Sequence, residues 1–217
     1  MAEFTLWIGN KNYSSWSMRG WLVCKLAGIA FDEVMMRLDE PDRPGRITPH
    51  SPSGRVPALR HGDFLVWDSL AIGEYLAERF PARKLWPAEP AARAVARAVA
   101  AEMHSGFQAL RGQLPMNMHR DRPPVAYKDD VQRDIDRIQD IWRDCRARFG
   151  AGGPYLFGHL TIADAFYAPV VSRFTSYRIA VDGNASAYCE AMWEWPALEA
   201  WRDAALRESW VIEKDEI

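Results

Sequence analysis

The sequence predicts an α/β domain followed by an all-helical domain, and three observations lead to this fold class. Strand and helix signals alternate at first, a proline-rich segment follows at residues 81–90, and strand signals nearly vanish after it. Apolar residues repeat every second position in strands and about every 3.6 positions in helices, so this change of repeat marks a domain boundary. We therefore predict one domain at residues 1–81 and a second at residues 90–217.

The first domain opens with a strand, a helix and a second strand. Residues 4–8 are β-prone, and apolar residues follow at helical spacing from 18 to 26. Gly28 stands where a helix often ends on a left-handed glycine. Residues 31–38 indicate the second strand. This order is typical of a parallel βαβ unit.

The rest of the first domain contains a loop, a hairpin and a helix. Residues 39–55 are rich in Pro, Gly, Arg and Ser, which favours a loop. The β-prone runs 56–59 and 64–67 flank a short turn and predict an antiparallel hairpin. Asp68 and Ser69 then begin a helix, as N-cap residues do.

The second domain contains only helix signals. Residues 91–112 are Ala-rich with one apolar face, and residues 128–149 form an amphipathic pattern. Thr161 and Asp164 have the spacing of a capping box that opens an apolar helix. Pro196 suits the first turn of a last helix.

Composition excludes several classes of partner. Hydrophobic residues make up 48% of the chain, charged residues 26%, and the net charge is -2. This charge gives no reason to expect nucleic acid or an anionic membrane as a partner. No apolar run approaches the roughly 20 residues of a membrane span, and Glu3 stands where a secretory signal carries basic residues. We therefore expect a cytoplasmic protein.

The three cysteines predict no metal site and no disulfide framework. Cys24, Cys145 and Cys189 are isolated and form no C-x-x-C or Cys/His cluster with metal spacing. We interpret each of them as a small buried apolar residue.

Three motifs in order resemble the cytosolic glutathione transferase family. They are the serine-rich run at residues 14–19, the Arg-Val-Pro-Ala-Leu run at 55–59 and the Asp-Ser-Leu-Ala-Ile run at 68–72. The capping box at residues 161–164 also matches the helical domain of that family. The paired serines resemble the zeta and tau classes most, although Trp16 stands where zeta members often carry a cysteine. The resemblance implies a thioredoxin-like glutathione-binding domain and a helical domain that forms the electrophile pocket.

The serine run suits the chemistry that the resemblance implies. A thiol attacks as thiolate, and a free thiol has a pKa of about 8.5. A helix N-terminus stabilises an anion by about 0.3–1 kcal/mol, and a hydrogen bond to a charged group adds about 1.5–3 kcal/mol. Together they lower the thiol pKa by about 1.5 to 3 units. The resemblance makes Ser14 the first candidate for this donor and Ser15 the second; the alternative is that both serines only cap the helix.

The other two motifs are implied to bind the glutathione peptide. Val56 precedes an expected cis-Pro57, and the family pairs this backbone with the cysteinyl unit like an added strand. Ser69 is implied to bind the γ-glutamyl carboxylate at a helix start, Asp68 its ammonium group, and Arg55 the peptide. Three residues of the loop are open candidates for the glycyl carboxylate: Arg43, Arg46 and His50.

The electrophile pocket is expected between the domains. Its candidate wall residues are Trp16, Met103, His104, Phe107 and Met116. Arg19 has two open interpretations: it adds positive potential near the thiolate, or it is a helix residue that is exposed or paired with an acid.

The resemblance implies a glutathione transferase that uses glutathione as co-substrate, needs no metal and serves detoxification. Its thiolate attacks a hydrophobic electrophile, by conjugation or by peroxide reduction, and the chain forms a homodimer. Two alternatives stay open: a glutathione-dependent cis–trans isomerase of zeta type, and a glutathione-transferase-like protein that only binds ligands.

Overall fold

The computed structural model describes residues 3–217, apart from the side chain at position 43. Residues 1 and 2, which belong to the first predicted domain, lie outside this part of the chain. The described residues form one four-stranded sheet in the order β2-β1-β3-β4. Its strands are β1 (Phe4–Ile8), β2 (Phe31–Met35), β3 (Ala58–His61) and β4 (Phe64–Val66). β1 and β2 are parallel, whereas β3 is antiparallel to both β1 and β4, as the βαβ unit and the hairpin predict.

The α-helices of residues 3–217 are α1 (Ser15–Ala27), α2 (Arg43–Ile47), α3 (Ser69–Arg79), α4 (Pro90–Ser105), α5 (Gln108–Gln113), α6 (Asp129–Phe149), α7 (Ile162–Ser176), α8 (Gly183–Trp193) and α9 (Pro196–Ala205). All strands precede α4, so the fold is an α/β unit followed by a helical one, and the predicted fold class is confirmed.

Two local predictions need correction. The Ala-rich stretch 91–112 is two helices and not one, because Phe107 adopts a left-handed backbone conformation with a φ of 58° and separates α4 from α5. The second strand ends at Met35 and not at residue 38.

The hairpin turn consists of Gly62 and Asp63, and the φ of 57° at Gly62 suits a residue without a side chain.

Helix α1 is the element that positions the site. Ser14 caps its start by accepting from the Ser17 N–H, and Gly28 ends it in a left-handed conformation with a φ of 67°. The helix packs against α3 on one side and α7 on the other. It therefore lies between the sheet domain and the helical domain.

Helix α7 anchors the helical domain. Its capping box is present as predicted, with the side chain of Asp164 fully buried. Asp164 accepts hydrogen bonds from the Thr161 N–H and hydroxyl at 2.8 and 2.9 Å, and from the Leu156 N–H and Tyr188 hydroxyl, both at 3.1 Å. These bonds compensate for the burial of the carboxylate.

One apolar core runs through both units. It contains Leu6 and Ile8 from one face of the sheet together with residues of α1, α3, α4, α6 and α7. Trp7 points to the opposite face and packs in a smaller cluster with Ile47 of α2. Because the core is continuous, the bounds 1–81 and 90–217 remain a proposal about where two domains divide.

Candidate active site

Two neighbouring cavities meet at the start of α1. The larger cavity has a volume of about 610 Å³ and lies against the segments at residues 53–57 and 67–69. The smaller cavity has a volume of about 250 Å³ and lies between α1, α5, α7 and the C-terminal residues 212–215. Ser14, Trp16 and Leu38 line both cavities. A group held at this junction is therefore within reach of ligands in either cavity.

Ser14 lies at the junction with its hydroxyl already engaged in the cap. Its Oγ accepts from the Ser17 N–H at 3.3 Å and donates to the Ser17 Oγ at 2.8 Å. The Gly9 N–H donates to the same Ser17 Oγ at 2.8 Å, so Ser17 is a structural residue. Because a hydroxyl hydrogen rotates about its C–O bond, Ser14 can redirect its donation to a bound anion.

Ser15 is the first residue of α1 and lines only the smaller cavity. Its side chain is 6% exposed, like that of Ser14. Its hydroxyl makes no hydrogen bond within residues 3–217. The two serines thus differ: Ser14 lines both cavities, whereas Ser15 has an uncommitted hydroxyl.

The segment that contains Pro57 lines the larger cavity and is held from below by α1. The Val56–Pro57 peptide bond is cis, as expected. Val56 makes no backbone hydrogen bond within the described residues, so its N–H and C=O are free to pair with an extended ligand. Pro57 packs so closely on Gly20 that a Cβ at Gly20 would lie 2.8 Å from the Pro57 Cγ. Arg55 is exposed at the mouth of the same cavity.

The start of α3 forms the other wall of the larger cavity. Asp68 is the N-cap, and its Oδ1 accepts from the N–H groups of Leu70 and Ala71 at 3.0 and 3.5 Å. Ser69 is fully buried, lines the cavity, and its hydroxyl has no hydrogen-bond partner within residues 3–217. A buried hydroxyl without a partner costs free energy. This one is therefore suited to an acceptor that a ligand supplies.

His104 of α4 reaches across to this helix start. Its Nε2 contacts the Asp68 Oδ2, and its ring lies edge-on to Trp16 at 5.1 Å. His104 was expected in the electrophile pocket; it lines the larger cavity instead. Of the other wall candidates, Trp16 and Met116 line the smaller cavity, whereas the remaining two are core residues: Met103 and Phe107.

Two of the three candidates for the glycyl carboxylate have side chains with other partners. Arg46 is paired with Glu40, and His50 stacks on Trp7 at 4.8 Å between ring centroids. The side chain of Arg43 lies outside the described part of the structure. Neither Arg46 nor His50 lines either cavity.

Arginines surround the smaller cavity. The guanidinium carbons of Arg19 and Arg111 each lie 4.8 Å from the ring centroid of Trp16. Arg19 is fully buried and forms no ion pair within residues 3–217, so it is neither exposed nor paired with an acid. Burial, and after it the charges of Arg111 and Arg173, hold the pKa of Arg19 well below its usual value. Sequence patterns gave no signal for Arg111 or Arg173, which come from different helices.

The C-terminal segment closes the smaller cavity and was not foreseen either. Glu208 accepts from the N–H groups of Lys11 and Asn12 at 2.7 and 3.0 Å, which fixes the segment to the loop after β1. The Tyr13 hydroxyl donates to Glu216 at 2.7 Å. Burial and this carboxylate raise the pKa of Tyr13 to about 12, so it remains a neutral donor.

Within residues 3–217, no group of three or more His, Cys, Asp or Glu side chains has the arrangement of a metal site. In the same part of the chain, no helix is long and apolar enough to cross a membrane.

Comparison with known proteins gives the family. The model of the glutathione S-transferase N-terminal domain matches residues 13–79, and the model of the C-terminal domain matches residues 126–204. A glutathione S-transferase from Triticum aestivum is 30% identical over 129 residues, which cover 57% of this chain and 60% of that protein. Glutathione S-transferase 1 from Dianthus caryophyllus is 27% identical over 204 residues, which cover 89% of this chain and 82% of that protein.

A solved structure is similar to this chain as well. A glutathione transferase homologue from Burkholderia, with bound glutathione, superposes with a TM-score of 0.69 and 26% identity. The match covers 94% of this chain and 98% of that one. Since the two domain models describe one family and together match more than half of the chain, this protein belongs to the glutathione S-transferase family and is an enzyme of the glutathione transferase type.

Proposed function

We propose that this enzyme binds glutathione in the larger cavity and ionises its thiol beside Ser14, so that the thiolate attacks an electrophile in the smaller cavity. One observation carries the proposal: Ser14 lies at the N-terminus of α1 and lines both cavities. Glutathione S-transferases supply the co-substrate class, and the Burkholderia homologue was solved with bound glutathione.

The walls of the larger cavity suit the two ends of the γ-glutamyl-cysteinyl unit. The unpaired Ser69 hydroxyl and the start of α3 favour the γ-glutamyl carboxylate, and Asp68 favours its ammonium group. The free backbone of Val56, followed by Pro57, favours the cysteinyl unit in strand-like pairing. We assign Arg55, at the mouth, to the exposed part of the peptide. These assignments bring the thiol towards Ser14.

The energetics of the start of α1 suit thiolate formation. The end of a helix stabilises an anion by about 0.3–1 kcal/mol, and a hydroxyl donor adds about 1.5–3 kcal/mol. We assign this donor to Ser14 first and to Ser15 second. The thiolate sulfur then forms the new C–S bond while the leaving group departs with its electron pair. With a peroxide, the sulfur forms an S–O bond as the O–O bond breaks and the alkoxide takes a proton from water; a second glutathione then converts the sulfenic acid into the disulfide and releases water. No metal takes part in either reaction as proposed.

Wider properties extend the proposal by family analogy. They are a role in detoxification, a cytoplasmic location and a homodimer. Phe64 and Trp67 are 54% and 42% exposed and supply apolar surface for a second copy. Light scattering of the purified protein tests the dimer.

The test of the proposed function compares serine variants. We expect Ser14→Ala to lower kcat/KM with 1-chloro-2,4-dinitrobenzene by about 10- to 150-fold, which corresponds to one charged hydrogen bond. At about pH 5.5, where the bound thiol is protonated in both enzymes, the dissociation constant for glutathione should change by less than about threefold, because the peptide contacts remain. Ser186→Ala on α8 is the matched control, since Ser186 lines neither cavity and its hydroxyl donates only to Glu190. Unchanged turnover in Ser14→Ala and in Ser15→Ala would contradict the proposal.

A further inference from the structure

Three arginines from three helices converge on the smaller cavity without a carboxylate partner. Arg111 of α5 and Arg173 of α7 line the cavity, and Arg19 of α1 lies fully buried behind Trp16. Within residues 3–217, none of the three has a carboxylate oxygen within 4.0 Å. Buried arginines are normally paired, because an unpaired buried charge is costly.

The burial and the mutual repulsion of these arginines are physically unfavourable. Burial, and then the charge of Arg111, lower the pKa of Arg173 to about 10. Burial also lowers the pKa of Arg111, which the charge of Asp134 partly offsets. Burial, and then the charges of Arg111 and Arg173, lower the pKa of Arg19. Like charges gathered in this way are stabilised when an anion binds among them.

Backbone carbonyls satisfy only part of the arginine donors. Arg173 donates to the carbonyls of Leu114 and Pro169 at 2.8 and 3.1 Å. Arg111 donates to the carbonyls of Met103 and His104 at the end of α4. One terminal nitrogen of Arg111 and one of Arg173 make no hydrogen bond within the described residues. Arg173 is only 4% exposed, so its free donor is directed at the cavity that the side chain lines.

The remaining walls define the kind of anion. Lys214 adds a third cation to the cavity lining and Asp215 adds one carboxylate, so the lining retains a net positive charge. Trp16, Met116 and Ile212 supply apolar surface beside these charges. A cavity of about 250 Å³ with this lining suits a small organic molecule that has one charged end.

We propose that the smaller cavity binds the carboxylate of an anionic second substrate, with Arg111 and Arg173 as its ligands. The planar guanidinium group matches a carboxylate through two parallel hydrogen bonds. The unsaturated body of the substrate extends past Trp16 towards Ser14, where the thiolate attacks. This inference rests on the proposed function and replaces the purely hydrophobic electrophile with an anionic one.

The direct test needs no glutathione. Calorimetry measures binding of 4-oxopentanoate and of its methyl ester, which share one carbon skeleton and differ in charge. We expect the acid to bind at least about 10-fold more tightly than the ester, as one charged hydrogen bond implies. Arg111→Gln should remove this preference. Arg133→Gln on α6 is the matched control, because it removes an exposed arginine that lines neither cavity.

Arg111 and Arg173 also donate to backbone carbonyls, so a second variant that keeps the positive charge separates ligand binding from folding. Arg173→Lys keeps the positive charge but lacks the two parallel N–H donors of a guanidinium group. The preference for the acid should therefore fall while the protein remains folded. Lys214→Gln removes an exposed cation and should weaken the preference less than Arg111→Gln. Equal binding of acid and ester to the unaltered enzyme would overturn the inference. So would a preference that survives in both arginine variants.

Turnover separates this inference from the proposed function. With 4-oxopent-2-enoate and its methyl ester, the thiolate forms a C–S bond, the alkene π pair becomes an enolate, and the enolate takes a proton from water. Each kcat/KM is divided by the uncatalysed rate constant of the same compound. Normalised rates that favour the acid by at least about 10-fold, and lose this in Arg111→Gln, support the inference.

The remaining outcomes are distinct. Ionised bound glutathione with equal normalised rates for acid and ester would overturn the anion site and leave the proposed function intact. Arginine-dependent binding of 4-oxopentanoate with no ionised glutathione would support the anion site and contradict the proposed function. A weaker glutathione affinity in Arg111→Gln, with an unchanged preference for the acid, would assign the arginines to glutathione and overturn the inference.

Discussion

Replacing Gly20 by alanine tests whether α1 holds the Pro57 segment in the conformation that glutathione requires. A Cβ at this position would lie 2.8 Å from the Pro57 Cγ and 3.0 Å from its Cβ. Ordinary carbon contacts lie near 3.5–4.0 Å, so the proline ring must move by roughly 0.5–1 Å. Pro57 is buried and its ring is rigid, so the displacement passes to the backbone of Val56.

Two opposing terms determine the stability of Gly20→Ala. Overpacking costs about 1–3 kcal/mol, whereas alanine improves the propensity of a helix interior by about 1 kcal/mol. We expect a net loss of about 0–2 kcal/mol and a larger effect on binding. Displacing Val56 should weaken its backbone hydrogen bonds to glutathione, each worth about 0.5–1.5 kcal/mol. The affinity for glutathione should then fall by about 5- to 30-fold.

The assay is calorimetric titration with glutathione, alongside thermal unfolding of the same samples. Gly112→Ala is the matched control, because the same change in α5 meets no atom within 4 Å. The control should bind glutathione normally and should be at least as stable as the unaltered enzyme. A Gly20→Ala enzyme with unchanged glutathione affinity would refute the role assigned to the packing of Pro57 on α1.

Three further predictions concern the capping box, the cross-domain histidine and the cysteines. Asp164→Asn should lower the free energy of unfolding by about 2–6 kcal/mol in urea titrations, because an amide NH₂ would face two buried donors. His104→Leu should weaken glutathione binding by about 5- to 15-fold in calorimetry, because Asp68 loses the partner that orients it. The native thiols should react with Ellman's reagent at pH 8 at least about 100-fold more slowly than free cysteine, because burial raises the pKa of each. They are Cys24 and Cys145, which are buried as predicted, and Cys189, which is half-buried and not fully buried as predicted.

Each of these predictions has a result that would contradict it. An Asp164→Asn protein as stable as the unaltered enzyme would show that the buried carboxylate is replaceable. Normal glutathione binding by His104→Leu would restrict His104 to packing against Trp16. A rapidly reacting native thiol would contradict the pKa of about 12 for Cys145 and Cys189. In unfolded protein all three thiols should react.

Local signals allowed the fold to be predicted from the sequence. The strand and helix repeats, the left-handed Gly28 and the Asp164 capping box depend on residues at most a few positions apart. The break between α4 and α5 was missed, although Gly106, the C-cap of α4, is a local signal that ends a helix; only the left-handed conformation of Phe107 after it has no such signal.

The site was predictable only in part. Ser14, Pro57 and Ser69 lie in short motifs that the family resemblance identifies, and the structure brings all three to one cavity. Arg111 and Arg173 had no such signal, because they lie in separate helices and the fold alone brings them together. Arg173 in particular lies in a helix that is otherwise apolar over most of its length.

The most direct test of the thiolate site is the ultraviolet thiolate absorbance of bound glutathione, followed across pH in the unaltered enzyme, Ser14→Ala and Ser15→Ala. The native cysteines stay protonated in this range, so the signal reports glutathione. In the unaltered enzyme the bound thiol should have a pKa of about 6–7, and Ser14→Ala should raise it by about 1–2 units. A bound thiol that titrates like free glutathione, or one that Ser14→Ala leaves unchanged, would contradict thiolate formation by Ser14.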